Sequence, residues 1–246
     1  MRIALNGSSL GACSLDEELD AAAAAGFSVV ELRAPKLEGV TDLSRRLSSR
    51  RLRAWTINSL EGAGERDLRE EARKHAAWAT ACGAPYVICV PGRRREGLED
   101  AVAALAGVCR EEGAELAFEF MGFDWSAVRT LPEALAVHSG PIVVDTFDWA
   151  LGYGSLAGLK ACDPTRIAVV HVNDAPSADL RRLGDDDRVL PGEGVLPVAP
   201  FYGVLAEIGY DGVLSVELFR PVSAGRAYEA VVRLAGSLAP RGVQGE

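Results

Sequence analysis

Short apolar runs recur along the chain, and a polar, helix-like segment ending in glycine precedes several of them. The pattern is clear in "DEELDAAAAAGFSVVELR" and returns in "HAAWATACGAPYVICV", "GVCREEGAELAFEF" and "VLAEIGYDGVLSVEL". Glycine readily adopts the left-handed conformation that ends a helix before a strand. Four glycines occupy such junctions: Gly26, Gly83, Gly113 and Gly209. Two helix starts show the capping-box spacing, Ser14-x-x-Glu17 and Thr130-x-x-Glu133. The chain therefore predicts a repeated unit of strand and helix.

Eight apolar runs are predicted as strands, near residues 2–6, 27–32, 52–57, 85–90, 115–120, 141–145, 167–172 and 213–218. Near-continuous apolar strands are expected when helices cover one face and a barrel interior covers the other. Eightfold alternation predicts an α/β fold, the (β/α)8 TIM barrel. A doubly wound open sheet would more often carry G-x-G-x-x-G after its first strand, whereas this chain has "LNGSSLGAC". No linker interrupts the pattern, so we expect one domain over residues 1–246.

Composition narrows the class of protein. The chain is 48% hydrophobic, which is enough for a large core, and its net charge of −9 disfavours a nucleic-acid binder. Its five cysteines are scattered without C-x-x-C spacing, which suits a reducing compartment. No signal peptide and no apolar stretch of about 20 residues is visible. We therefore expect a cytoplasmic protein that binds neither nucleic acid nor membrane.

The last four predicted strands end in side chains that can bind a metal: Glu119, Asp145, His171 and Glu217. The carboxyl ends of the strands carry the chemistry of TIM barrels. Because side chains alternate along a strand, these four would point into the barrel mouth, while Phe118 and its equivalents face the helices.

Three carboxylates in one place repel one another and take up protons unless a cation compensates them. Oxygen-rich ligands with one imidazole suit Mn²⁺, Mg²⁺ or Co²⁺, so the pattern predicts one divalent metal ion. Taken singly, each residue has an ordinary alternative. A glutamate at a strand end is often solvated, and a histidine there is often only hydrogen-bonded.

Several motifs resemble a known family, the xylose-isomerase-like TIM barrels of the sugar phosphate isomerase/epimerase group. The motifs are "VVELR", "FEF", "VVDTFD", "HVNDAP", "RVLPGEG" and "GYDGVLSVELF", and the resemblance covers nearly the whole chain. It implies that the four strand-end residues hold one divalent ion. It also implies that Glu119 and Glu217 act as the acid and base on opposite faces of the substrate. Arg188 matches the arginine of the family's R-x-x-P-G-x-G loop, which contacts a substrate hydroxyl.

Two positions depart from the family pattern. Asp148 stands where a histidine often follows the strand-six aspartate, and Trp125 stands where some epimerases have an acidic residue. Both changes count against simple ketose epimerisation. The resemblance implies a metal-dependent isomerase or epimerase of a small keto-sugar, a polyol-derived ketone or a sugar phosphate. A metal-dependent lyase that dehydrates a keto-cyclitol or keto-sugar is the alternative, and a non-catalytic sugar-binding barrel is a third. By analogy we expect a homodimer.

Further residues are expected around the substrate. Asn6 and Glu31 end the first two strands and are predicted, with Trp125, Asp148 and Arg188, to contact it. Asp174 is expected to orient a metal ligand or Arg188. The arginine run 93–95 would hold a substrate phosphate if the substrate carries one, or else form a solvated loop. The remaining histidines, His75 and His138, are interpreted as structural.

Overall fold

A computed structural model describes residues 1–237 and shows a closed barrel of parallel strands. Its eight strands are β1 (Arg2–Asn6), β2 (Val29–Arg33), β3 (Arg53–Ala63), β4 (Tyr86–Pro91), β5 (Glu115–Glu119), β6 (Ile142–Asp145), β7 (Ile167–Val172) and β8 (Val213–Val216). Each strand pairs with the next in sequence, and β8 pairs with β1 to close the barrel. The predicted TIM barrel is thus confirmed, with a strand near each expected position.

Helices follow the strands and cover the outside of the barrel. They are α1 (Leu15–Ala25), α2 (Leu43–Ser49), α3 (Arg69–Cys82), α4 (Leu98–Glu111), α5 (Leu131–Val137), α6 (Thr146–Leu151), α7 (Leu156–Lys160), α8 (Val198–Glu207) and α9 (Ala224–Ser237). Two short helices, α6 and α7, share the connection between β6 and β7. Within residues 1–237, every helix is too short or too polar to cross a lipid bilayer.

The core has two layers, as the alternation of the strands predicts. Ala117, Val143 and Val169 belong to a small cluster inside the barrel. Their sequence neighbours Phe118 and Val144 belong to the large outer cluster, which packs against the helices. Since Glu119 is two residues beyond Ala117, the same alternation sends its side chain inward at the barrel mouth.

Strand register sets the height of the candidate ligands. Asp145 pairs with His171 across β6 and β7, so these two residues lie at one level. Glu119 pairs with Val143, and His171 pairs with Ser215. Asp145 lies two residues beyond Val143, and Glu217 lies two residues beyond Ser215. Because side chains alternate along a strand, all four side chains are on the inward face.

Helix ends follow the predicted signals. Gly26 and Gly83 adopt left-handed conformations as C-caps, with φ of 99° and 74°. Gly113 and Gly209 also have positive φ, 91° and 76°. Both predicted capping boxes are formed, at the starts of α1 and α5. Local sequence therefore determines where these helices begin and end.

The capping box of α1 gives a test of the fold. Ser14 accepts a hydrogen bond from the backbone N–H of Glu17, and the Glu17 carboxylate accepts one from that of Ser14. Replacing Ser14 with Ala is expected to lower the free energy of unfolding by about 1 kcal/mol, because a terminal N–H loses its partner. Urea denaturation measures this change. The control Ser48→Ala, on the exposed side of α2, should stay within about 0.5 kcal/mol of the unsubstituted protein. An equal loss of unfolding free energy in Ser14→Ala and Ser48→Ala would contradict the assignment of Ser14 as the N-cap of α1.

Candidate metal centre

Three of the four predicted ligands meet at the barrel mouth. One ligand atom each from Glu119, His171 and Glu217 lies within 4.8 Å of the others, and all three residues are buried. Nδ1 of His171 lies 3.0 Å from Oε1 of Glu119 and 3.1 Å from Oε2 of Glu217. Two carboxylates and one imidazole nitrogen therefore face a common point.

Asp145, the fourth predicted ligand, lies beside this cluster with its oxygens otherwise engaged. Its Oδ2 accepts hydrogen bonds from Arg188, at 3.0 Å, and from the amide of Asn173, at 2.6 Å. Its Oδ1 accepts from the backbone N–H of Asp148 at 2.9 Å, since Asp145 is also the N-cap of α6. The structure therefore groups three of the predicted ligands and places Asp145 against Arg188.

Arg188 is a buried cation among carboxylates. One guanidinium nitrogen contacts Asp145 and Glu217, at 3.0 and 3.2 Å. The other contacts Asp148 at 2.8 Å and Asp185 at 2.7 Å. These contacts hold the pKa of Arg188 above its usual range despite burial.

Aromatic rings enclose the same guanidinium. Its central carbon lies 5.1 Å from the ring centroids of both Phe147 and Phe219, within range of a cation–π interaction. Rings and carboxylates together fix the Arg188 head at the edge of the cluster.

Asp148, at a position where the family resemblance led us to expect a histidine, holds neighbouring groups in place. Its Oδ2 accepts from Arg188 at 2.8 Å, and its Oδ1 accepts from the backbone N–H of Gly122 at 2.7 Å. Asp148 also forms part of the cavity wall. It therefore links the loop after β5 to Arg188, a role that a histidine donor would not reproduce.

Asn6 and Glu31 do not lie where substrate contact was predicted. Both are fully buried, and neither contributes to the wall of the cavity above the cluster. Glu31 instead contacts Nε2 of His171 at 3.2 Å, and Asn6 donates to Oε1 of Glu217 at 2.9 Å. Asn6, the last residue of β1, pairs with Glu31 in the middle of β2, so the two lie at one level beneath the cluster.

A cavity of about 650 Å³ opens above the cluster, with Glu119 and Glu217 in its wall. Sites for small molecules commonly have volumes of this order. Trp125, which is predicted to contact the substrate, lines the cavity and stacks on Phe123 with 6.0 Å between ring centroids. Arg33 and Arg93 also reach the wall.

Some contacts were not expected from the sequence. Asn173 donates to Asp145, and its place two residues after His171 on an inward-facing strand was the available signal. Asp185 accepts a hydrogen bond from Arg188 at 2.7 Å. The Asp174 side chain accepts hydrogen bonds from four backbone N–H groups, those of Ala175, Gly192, Gly194 and Leu196, and so holds the loop that follows Arg188. Its backbone also pairs with that of Val189, the residue after Arg188.

The other two histidines lie away from the cluster. His75 stacks on Trp78 within α3, with 5.5 Å between the ring centroids. His138 caps the end of α5 and lies 3.1 Å from the carbonyl oxygen of Leu116. Both contacts are structural, as expected.

The charges at the cluster shift its acid–base equilibria. Burial raises the pKa of Glu119 to about 7, and the negative charges of Glu217 and Asp145 add to the effect. Glu217 is also buried, but His171 and Arg188 lower its pKa to about 2. The surrounding carboxylates raise the pKa of His171 well above its usual value despite burial. A divalent cation suits this donor set, because it would replace the protons that the crowded carboxylates otherwise retain.

Comparison with known proteins agrees with this architecture. A family model described as "xylose isomerase-like TIM barrel" matches residues 19–237. An inosose isomerase of Bacillus velezensis is 24% identical over 236 residues, covering 85% of this chain and 84% of the relative.

Two solved structures share the fold. One, described as IolI protein with a binding zinc atom, has a TM-score of 0.86 and 23% identity, covering 97% of this chain and 98% of its own. The other, the 3-keto-D-glucoside 4-epimerase of E. coli, has a TM-score of 0.78 and 15% identity, covering 96% and 99%. The chain, matched by the family model over most of its length, belongs to the xylose isomerase-like TIM barrel family.

Proposed function

We propose that this protein is a divalent-metal-dependent isomerase or epimerase of a small keto-sugar or polyol-derived ketone. The observation that carries the proposal is the convergence of Glu119, His171 and Glu217 on one point at the floor of a cavity. The names of the relatives add support, since one is an isomerase of an inosose, a cyclic polyol ketone, and the other an epimerase of a 3-keto-glucoside.

The residues that would hold the ion are Glu119, Nδ1 of His171 and Glu217, with Asp145 as a fourth ligand implied by the family resemblance. Mn²⁺, Mg²⁺ and Co²⁺ suit the oxygen-rich set. Zn²⁺ is a further candidate ion, because one structural neighbour is described with a bound zinc atom. When bound, the ion would polarise a substrate carbonyl and acidify the adjacent C–H.

The two glutamates would then move the proton. Glu119 ends β5 and Glu217 directly follows β8, so one can take a proton from the α-carbon while the other returns it. Return to the opposite face of that carbon gives an epimer, and return to the neighbouring carbon gives an isomer. Arg188 would donate to a substrate hydroxyl, since its guanidinium lies in the cavity wall beside Glu217.

A pH titration of metal binding tests the cluster. A bound ion requires ionised Glu119 and neutral His171, so binding must release the protons that these groups carry. Because the pKa of His171 is raised, lowering the pH towards 7 should weaken Mn²⁺ binding about tenfold per pH unit. Lowering the pH further, below 7, should weaken it by up to about a hundredfold per unit, because Glu119 then takes up a proton as well.

Calorimetry in buffers of different ionisation enthalpy counts the released protons. In Glu119→Gln the count at pH 6 should drop by about one, since one titrating ligand is missing. If the affinity for Mn²⁺ is constant between pH 6 and pH 8, the assignment of Glu119 and His171 as metal ligands is contradicted.

Isotope exchange tests the reaction itself. Each purified variant is incubated in D₂O with Mn²⁺ and a panel of inososes and ketohexoses, and NMR follows loss of the hydrogen next to the carbonyl. The unsubstituted protein should exchange this hydrogen on at least one of these compounds. Glu119→Gln and Glu217→Gln should each slow the exchange by at least about a hundredfold, because each removes a proton-transfer group. The exposed α3 variant Glu70→Gln serves as the control.

The outcomes separate the candidate functions. Exchange with formation of an epimer or isomer supports the proposal. A product that has lost water, seen as new ultraviolet absorbance, would favour the lyase. Equal exchange in both glutamate variants and the control would contradict the assigned roles.

A further inference from the structure

Glu31 is a buried carboxylate with an unusual set of partners. It is fully buried in β2, beneath the cluster. Within residues 1–237 its one ion-pair partner is His171, whose Nε2 lies 3.2 Å from each carboxylate oxygen. By contrast, buried Glu18 contacts a lysine, and buried Asp145 and Asp148 contact Arg188. Burying a carboxylate without a permanently charged cation beside it lowers the stability of the fold. The position of Glu31 against the imidazole of His171 therefore suggests a functional role.

The two nitrogens of His171 face opposite ways. Nδ1 faces Glu119 and Glu217, whereas Nε2 faces Glu31. A neutral imidazole carries its hydrogen on one nitrogen and its lone pair on the other. An ion held by Nδ1 therefore requires the hydrogen to lie on Nε2, where Glu31 is placed to accept it.

Glu31 is itself held rigidly. Thr56 Oγ1 donates to its Oε2 at 2.7 Å, and Nδ2 of Asn6 donates to its Oε1 at 3.3 Å. The Asn6 amide cannot turn over freely, because its Oδ1 accepts from the backbone N–H and the hydroxyl of Ser8, at 3.0 and 2.8 Å. The same Nδ2 also donates to Glu217 at 2.9 Å, so one amide links Glu31 to a candidate ligand.

We propose that Glu31 is a positioning residue that fixes the tautomer and ring orientation of His171 and thereby sets the affinity of the site for its metal ion. This inference rests on the proposed metal-dependent function, and it assigns no contact between Glu31 and the substrate. Partners of this kind hold a metal-binding imidazole in place and increase its basicity, and their loss commonly weakens metal binding about 10- to 100-fold.

The test measures Zn²⁺ affinity by competition with a chromophoric chelator. Glu31→Leu removes the acceptor and should weaken the affinity about 10- to 100-fold. Glu31→Gln keeps an acceptor oxygen but loses the charge, so its affinity should lie between those of Glu31→Leu and the unsubstituted protein. Glu18→Gln is the matched control, because it also removes a buried carboxylate, one that contacts Lys36 at 2.6 Å, and its affinity should be unchanged.

A second readout reports the tautomer. The chain has 3 histidines, so ¹⁵N NMR of the zinc-loaded protein can resolve His171 by comparison with His171→Gln. The unsubstituted protein should show a protonated Nε2 that exchanges slowly with solvent, and Glu31→Leu should show faster exchange. A merely structural role for Glu31 would lower stability without this change in the ring.

The outcomes distinguish the two proposals. Failure of the unsubstituted protein to bind Zn²⁺, Mn²⁺, Mg²⁺ or Co²⁺ would overturn the proposed function. Normal binding with equal affinity and equal Nε2 exchange in Glu31→Gln would overturn the role of Glu31 alone. If Glu31→Leu does not fold, Glu31→Gln decides the question, since a loss of affinity there relative to Glu18→Gln supports the inference.

Discussion

Compensation of buried negative charge is the constraint on which the barrel mouth depends. Five carboxylates are buried there: Glu31, Glu119, Asp145, Asp148 and Glu217. The buried cations that face them in the described part of the chain are Arg188 and His171. Two positive charges do not balance five negative ones, so protons or a further cation must supply the remainder. The pKa of about 7 at Glu119 is the local sign of this imbalance.

The barrel divides the charges into two groups. On one side Arg188, which lies after β7, pairs with Asp145 and Asp148 near the start of α6. On the other side His171 lies between Glu119 and Glu31. Glu217 contacts both cations and joins the groups. The histidine group therefore has fewer permanent positive charges than the arginine group, which makes it the place where a further cation is needed.

The sequence was enough to predict the fold and the inward direction of the candidate ligands, because both follow from local patterns. Alternation along each strand sends Glu119 and His171 inward whatever the rest of the chain does. The capping boxes and glycine C-caps depend on only a few neighbouring residues. The barrel topology then brought the four strand ends to one mouth, and the family resemblance implied that they hold one divalent ion.

Contacts between distant side chains could not be predicted in the same way. Whether Asp145 faces the cluster or Arg188 depends on how the loop carrying Arg188 folds back over the mouth, and Asp174 fixes that loop through backbone N–H groups. The sequence placed Glu31 at the end of a predicted strand and therefore at the cavity, whereas β2 continues to Arg33. Its actual level depends on the register of β1, β2 and β3, which places it below His171. Strand register and loop path are properties of the whole barrel.

The most direct test of this account is anomalous diffraction from crystals of the protein grown with Mn²⁺. The account predicts one strong anomalous peak at the barrel mouth, within bonding distance of Glu119, Nδ1 of His171 and Glu217. The same map would show whether Asp145 leaves Arg188 to join them. A map with no peak at this position, or with manganese bound only at exposed carboxylates elsewhere, would contradict the central claim.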